Sequence, residues 1–119
     1  MKIDVQGWAA AQFAIGAMYS QGQGFLQDYK EAVKWYTKAA EQGQAPAQSG
    51  LGYAYATGEG VLQDNVRAHI WFNLAGANGY EGGSKNRDMI VEDMTSDQVA
   101  EAQRMAREMV EANPKLMGE

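Results

Sequence analysis

Very few side chains in this sequence could carry out acid–base, nucleophilic or metal chemistry. The 119 residues contain one histidine, His69, and no cysteine. A thiol nucleophile, a disulfide framework and a zinc site with sulfur ligands are therefore excluded. A single histidine also cannot form a histidine-based metal site within one chain. We expect His69 to be partly buried or on the surface, and we predict no metal and no cofactor.

Two aspartates, Asp28 and Asp64, could act as a pair of catalytic carboxylates. Both follow a Leu-Gln dipeptide and precede a segment with helical spacing of apolar residues. Because aspartate is a favoured helix N-cap residue, capping explains both positions without catalysis. No serine, threonine or lysine lies in a recognisable nucleophile motif. We therefore predict no catalytic residue and a protein that is not an enzyme.

Two Gly-x-Gly segments, Gly22 to Gly24 and Gly58 to Gly60, could begin a phosphate-binding loop. The third glycine of a dinucleotide fingerprint is absent, since glutamine occupies its position in both segments, and no strand is predicted before either one. A phosphate loop is needed once, whereas a turn is needed in every repeated unit. Both segments are therefore predicted to end a helix, because glycine tolerates the left-handed backbone conformation found there.

The glycine pairs belong to an internal repeat with a period of 36 residues. When residues 6–46 are aligned with residues 42–82, sixteen of 41 positions are identical. A period of this length is typical of a solenoid of stacked supersecondary units. The repeated signature consists of Gly16, Tyr19, Gly22, Gly24, Asp28, Trp35 and Gly43 in the first unit and Gly52, Tyr55, Gly58, Gly60, Asp64, Trp71 and Gly79 in the second. We predict one solenoid domain over residues 1–119, with units at 6–43, 44–79 and 80–119.

Each unit is predicted to contain two helices, because its apolar residues recur at helical spacing. The expected helices cover residues 9–21, 28–42, 46–57, 64–78, 82–94 and 97–112. Capping boxes are expected at Asp28 with Glu31 and at Thr95 with Gln98. Gly16 lies within the first helix, where glycine costs about 1 kcal/mol relative to alanine, so we expect the partner helix to approach closely there. Packing between the last two helices is expected for Met89, Met94, Met105 and Met109.

The charge balance argues against two classes of partner. The chain carries 10 basic and 15 acidic residues, a net charge of −5, whereas nucleic-acid binding needs a basic surface. The acidic excess is concentrated in residues 80–119, where a terminal repeat unit needs a polar outer face. The uncharged residues 42–57 contain proline, glycines and polar groups and do not resemble a membrane span. No nucleic acid and no membrane insertion are predicted.

The repeated residues resemble the Sel1-like repeat family. Its signature, Ala-Gln-x-x-x-Leu/Ile-Gly-x-x-Tyr-x-x-Gly-x-Gly, then Asp, Ala-x-x-Trp and a closing glycine, occurs across residues 11–43 and 47–79, and residues 87–103 resemble the closing segment of bacterial members. The resemblance implies an all-α, α/α superhelical solenoid related to tetratricopeptide repeats, with an adaptor or scaffold role. One cysteine-rich branch is reported to bind β-lactams. This chain lacks cysteine, so that property is not transferred to it.

The first helix of each unit is expected to line the concave side of such a solenoid. The side of these helices away from the core is predicted to bind a protein or peptide through Phe13, Ala17, Gln21, Ser49, Tyr53 and Thr57. Strict extension by 36 residues would add Lys85, Met89 and Asp93, but the apolar residues of the third unit follow a different register. An outward Phe13 beside Tyr53 would form an aromatic anchor. The alternative is that Phe13 contacts an upstream unit.

The sequence therefore predicts a non-enzymatic adaptor that binds another protein. A first alternative is a structural module that self-associates, for example as a homodimer, through its N-terminal end near Trp8, where no polar capping unit is visible. A second alternative is a small-molecule binder or hydrolase. The lack of cysteine suits a reducing cytoplasm, although a mature periplasmic or secreted chain would have the same features.

Overall fold

The computed structural model describes residues 5–118, and all regular secondary structure within this range is helical. The elements are α1 Val5–Gln21, α2 Tyr29–Ala40, α3 Ala45–Thr57, α4 Asn65–Ala77, α5 Glu81–Val91, α6 Ser96–Ala112 and a 3-10 helix at Pro114–Met117. Each helix from α1 to α4 packs against the next one, and α6 packs against α4. The stacked pairs form an elongated body of 46 × 31 × 22 Å. The predicted all-α repeat solenoid is confirmed.

The second helix of each repeat begins at the aspartate predicted to cap it. The Asp28 side chain accepts a hydrogen bond from the Glu31 backbone N–H at 3.1 Å, and Asp64 accepts one from Arg67 at the same distance. The expected capping box at Asp28 is only half formed, because the Asp28 N–H donates to the Tyr19 carbonyl oxygen instead. That bond ties the start of α2 to the end of α1, so the turn is fixed from both sides.

Glycines in the first helices allow the second helices to approach closely, as expected for Gly16. A Cβ atom at Gly16 would lie 2.8 Å from the Tyr36 ring, and one at Gly52 would lie 2.5 Å from the Phe72 ring. Tyr36 and Phe72 occupy equivalent positions 36 residues apart. An aromatic ring therefore covers a glycine in both repeats.

The third helix pair departs from the prediction in three respects. Helix α5 ends at Val91, three residues before the expected boundary, whereas the capping box predicted at Thr95 with Gln98 is confirmed at the start of α6. Helix α6 packs mainly on α4 and not on α5. Met89 is 67% exposed, so its expected packing between the last two helices is wrong. The other three methionines of that set contact the hydrophobic core, namely Met94, Met105 and Met109.

A pair of amide side chains recurs in both repeats and was not predicted. Gln42 Nε2 donates to Gln12 Oε1 at 2.7 Å, and Asn78 Nδ2 donates to Gln48 Oε1 at 2.9 Å. The two donors are equivalent positions, as are the two acceptors. Each bond ties the segment that follows the second helix to the first helix of the same repeat.

The C-terminal 3-10 helix returns to this amide pair and completes the core. The Leu116 carbonyl oxygen accepts hydrogen bonds from Gln48 Nε2 at 3.0 Å and from Asn78 Nδ2 at 2.8 Å. The Leu116 side chain is only 3% exposed and lies in the core cluster. The C-terminal 3-10 helix is thus hydrogen-bonded to both members of the amide pair in the second repeat.

Candidate partner-binding surface

An apolar groove of about 270 Å³ lies between α3 and α5 on the row of first helices. Its lining comprises Tyr53, Ala56, Thr57, Phe72, Asn86, Met89 and Ile90. Tyr53 is 55% exposed and Met89 is 67% exposed, which is unusual for large apolar side chains. Because exposed apolar groups that surround a concavity mark interaction sites, we define these seven residues as the α3–α5 groove.

The floor of the α3–α5 groove is positioned by a glycine contact. Phe72 is almost fully buried and packs on Gly52, which has no side chain to displace it. Tyr53 follows Gly52 directly in α3 and therefore points to another side of the helix. One turn of α3 therefore contributes twice to the groove. Gly52 leaves room for Phe72 at the floor, and Tyr53 forms part of the wall.

The structure brings together some of the predicted concave residues and separates others. Tyr53 and Thr57 line the α3–α5 groove, and Met89 joins them at the position that strict extension gives. Phe13 is not among the residues that line this groove. It is half-buried and stacks on Tyr36 with 5.6 Å between ring centroids. The stacking contact with Tyr36 keeps Phe13 within the first repeat.

The remaining predicted residues lie outside the groove. Ser49 is buried near the start of α3, a helix that packs against both α2 and α4. Ala17 is partly buried and Gln21 is exposed at the end of α1. Lys85 and Asp93, the other two positions given by strict extension, are both exposed. The exposed part of the predicted surface is therefore concentrated near α3 and α5.

Charge is distributed unevenly around the α3–α5 groove. Helices α1 and α3 contain no aspartate, glutamate, lysine or arginine. Acidic residues lie where α3 and α5 end, at Glu59 and at Glu92 and Asp93. The two acidic residues within α5 are each paired with a basic side chain, Glu81 with Lys85 and Asp88 with Arg87. The Glu59 carboxylate accepts a hydrogen bond from Tyr29 and raises the pKa of that phenol. The groove is thus uncharged along its floor and acidic at one end.

The residues that could suggest catalysis have structural roles. Asp28 and Asp64 cap helices, and the paired turn glycines have positive φ angles between 72° and 85°. No group of three or more histidine, aspartate or glutamate residues within residues 5–118 could hold a metal ion.

His69 is buried, contrary to the expectation of a partly buried or surface position. It is 3% exposed, and its Nδ1 atom has no hydrogen-bond partner. Burial lowers the pKa of His69 below the usual 6.5; the nearby Arg87 guanidinium acts in the same direction, and Asp88 opposes it. Burial of the His69 side chain therefore favours the neutral form of its imidazole in the folded chain.

A second groove, of about 590 Å³, lies between α4 and α6. Its rim includes charged Arg107 and Glu111, and Leu74 and Val110 lie along its walls. Sequence reasoning gave no signal for this groove, because it depends on α6 packing on α4. The groove is wide open and carries no converging set of titratable groups.

The fold and the surface together define a class of protein: a short helical-repeat module with an exposed concave groove and no catalytic constellation among the described residues. A family model described as the Sel1 repeat matches residues 9–44 and again residues 45–80. The chain belongs to the Sel1 repeat family. Members of this family are generally modules for protein–protein interaction and are typically not enzymes.

A solved structure supports the same assignment. The chain is similar to the crystal structure of c5321. That protein is described as a protective antigen present in uropathogenic Escherichia coli strains and displays an SLR fold. The identity is 36%, the TM-score is 0.85, and the match covers 92% of this chain and 24% of that chain. The present chain therefore spans about a quarter of the length of c5321. No curated protein gives a match.

The described helices also bear on the expected absence of membrane insertion. Among residues 5–118, none of the helices combines the length and the apolar character needed to cross a lipid bilayer.

Proposed function

We propose that the chain is a non-enzymatic adaptor that holds a segment of a partner protein in the α3–α5 groove. Tyr53 and Met89 are the main contacts in this proposal, and Thr57 provides a polar contact at the rim. The observation that carries it is the pair of large apolar side chains, 55% and 67% exposed, on the two sides of one groove. Membership of the Sel1 repeat family supports a binding role in general.

The lack of charge on α1 and α3 also supports this surface. The solvent-facing side of a surface helix normally carries charged residues, as α2 does with its three lysines and one glutamate. Helices α1 and α3 lack such residues over 17 and 13 positions. An uncharged outer face costs little to desolvate, which favours contact with another chain.

The test is partner capture by purified protein variants. Immobilised wild type is compared with Tyr53→Ala/Met89→Ala, and bound proteins from the native extract are quantified. Loss of an anchoring aromatic side chain typically costs about 2 kcal/mol or more of binding free energy. We therefore expect captured partner to fall at least tenfold, while the urea unfolding midpoint stays nearly unchanged.

A matched control comes from two leucines on the turns of the first two repeats. Leu26 and Leu62 are 92% and 90% exposed and lie outside the groove. The variant Leu26→Ala/Leu62→Ala removes a similar amount of exposed apolar surface and is expected to retain capture. Equal capture by the groove variant and the wild type, or equal loss in the control, would contradict the proposal.

We propose self-association through the N-terminal face as a second candidate function. In the second repeat, a Cβ at Gly60 would lie 2.5 Å from the Tyr29 carbonyl oxygen, so that turn is covered by α2. Among residues 5–118, a Cβ at the equivalent Gly24 would meet only the Met18 methyl group of its own repeat, at 3.3 Å. Trp8 and Phe25, both in the first repeat, are 48% and 41% exposed. A second copy of the chain would cover this face and form a homodimer.

Light scattering tests this second candidate over a range of protein concentrations. A dimer should form as concentration rises and should be lost in Trp8→Glu, because the new carboxylate would be buried without a partner. Leu62→Glu adds the same charge at a site that is 90% exposed and should leave the dimer intact. A monomer at every concentration would exclude the homodimer and leave the adaptor function unaffected.

A further inference from the structure

We propose that the segment held in the α3–α5 groove is an extended peptide with one large apolar side chain and a lysine or arginine two residues from it. This inference rests on the proposed function and names the chemistry of the partner. Three features of the groove indicate this chemistry: its size, the direction of the helices that form it, and the charges at its two ends.

The size of the groove suits a single side chain. Its volume of about 270 Å³ lies just below the range of about 300–1,000 Å³ typical of small-molecule sites. The lining is apolar at Phe72, Met89 and Ile90, with Thr57 and Asn86 as polar contacts. The methionine wall can adapt to the shape of different apolar groups. A leucine, methionine or phenylalanine side chain of a peptide would fill this space.

The direction of the groove follows from the topology. Helix α4 packs against both α3 and α5, and the two short connections reverse the chain twice. Helices α3 and α5 therefore run in the same direction, and their C-terminal ends lie on one side of the groove. Both ends carry the negative part of a helix dipole, so this side attracts cations.

The charged side chains reinforce the same polarity. Glu59 lies beside Thr57, with 3.4 Å between Thr57 Oγ1 and Glu59 Oε1. Asp93 follows Met89 by four residues. Within the described part of the chain, no lysine or arginine forms an ion pair with Glu59 or Asp93.

At the opposite end of α5, the one nearby lysine is already paired. Lys85 Nζ lies 3.3 Å from the Glu81 carboxylate, so that end of the groove is close to neutral. Within residues 5–118, Glu59 and Asp93 at the negative end are therefore carboxylates without an ion-pair partner, which a cation on a partner could neutralise. A cation on the partner would gain from both carboxylates and from both helix dipoles.

The spacing between the anchor and the cation follows from helix geometry. Tyr53 and Thr57 are one turn apart, about 5–6 Å along the axis, and Glu59 lies just beyond. An extended peptide advances about 3.3 Å per residue. A basic side chain two residues from the apolar anchor would therefore reach Glu59 and Asp93.

The experiment uses three short synthetic peptides with a fluorescent label. The first has a central leucine with arginine two residues away on each side, which allows either chain direction. The second replaces both arginines by glutamate, and the third replaces the leucine by alanine. Binding to the full chain is measured by fluorescence anisotropy at low ionic strength.

We expect the arginine peptide to bind about tenfold more tightly than the glutamate peptide, since attraction becomes repulsion at an exposed site. This ratio should shrink as salt is added. The alanine peptide should bind at least about fivefold more weakly than the leucine peptide, because an apolar group is no longer buried.

Matched protein variants separate the acidic end from the net charge of the chain. Glu59→Gln/Asp93→Asn should bring the arginine-to-glutamate ratio close to one. Glu101→Gln/Glu111→Gln changes the net charge equally at two exposed positions of α6 and should preserve the ratio. Equal binding of the arginine and glutamate peptides to the wild type, or no binding of any peptide, overturns this inference. The adaptor proposal would still stand if Tyr53→Ala/Met89→Ala lost partner capture.

Discussion

Substitution of Gly52 by alanine tests whether the contact between a helix glycine and an aromatic ring shapes this repeat. In an exposed helix interior, Gly→Ala stabilises a protein by about 1 kcal/mol. At Gly52 the new Cβ would lie 2.5, 2.7 and 2.8 Å from three atoms of the Phe72 ring. Contacts this short require the ring or the helix to move.

The size of the effect follows from these distances. Overpacking a core costs about 1–3 kcal/mol, and the upper half of that range applies because Phe72 is only 2% exposed. After subtraction of the propensity gain, we expect Gly52→Ala to lower the free energy of unfolding by about 1–2 kcal/mol. The free side of the Phe72 ring faces the α3–α5 groove, so a displaced ring would also fill the groove and weaken partner capture.

Urea unfolding followed by circular dichroism measures this change. Gly82→Ala in α5 is the matched control, because its new Cβ would meet only the side chain of Tyr80, at 3.0 Å, and that residue is 40% exposed. The control should be as stable as the wild type or more stable. Phe72→Leu should reduce the penalty of Gly52→Ala in a double-mutant cycle. A Gly52→Ala variant at least as stable as the wild type would refute the reasoning.

Two further predictions concern stability. Leu116→Ala should lower the free energy of unfolding by about 2–3 kcal/mol, because it empties a core position; Met117→Ala, at a 38% exposed neighbour, should change it by less than about 1 kcal/mol in the same urea assay. The pKa of His69 is lower in the folded chain than the usual 6.5, so the unfolded chain binds its proton first, and stability should decrease as pH falls from 6.5 toward the folded-state pKa. His69→Phe should flatten this part of the pH profile, and an unchanged slope would show that His69 does not contribute to it.

The first four helices could be predicted because their signals are local. Turn glycines and capping aspartates act within a few residues, and Asp28 and Asp64 cap as expected. The return of the C-terminus could not be predicted, since Leu116 contacts Gln48 across 68 positions of sequence. No local pattern near Leu116 indicates that contact. The burial of His69 likewise depends on how α5 packs over α4.

The groove was only partly predictable, because the spacing of apolar residues and the position of the backbone give different answers in α5. The apolar residues of α5 do not follow the pattern of α1 and α3, which argued against placing Met89 on the concave side. The backbone nevertheless continues the stack, and Met89 lies beside Tyr53, as the offset of 36 residues requires. In a solenoid, backbone position is set by stacking on the preceding unit, so the offset is the better guide when composition diverges.

Comparison of equivalent positions in the first two repeats explains why the second repeat provides the floor of an apolar groove. In the first repeat, the Tyr36 ring packs on Gly16, and its hydroxyl pairs with Ser20. The equivalent residues in the second repeat are Phe72 and Ala56, so both members of that polar pair are replaced by apolar groups. At the concave position itself, Tyr53 is equivalent to a small residue, Ala17, in the first repeat. The shared glycine thus makes room for a ring in both repeats, and in the second repeat the residues around the ring leave an apolar groove where α3 meets α5.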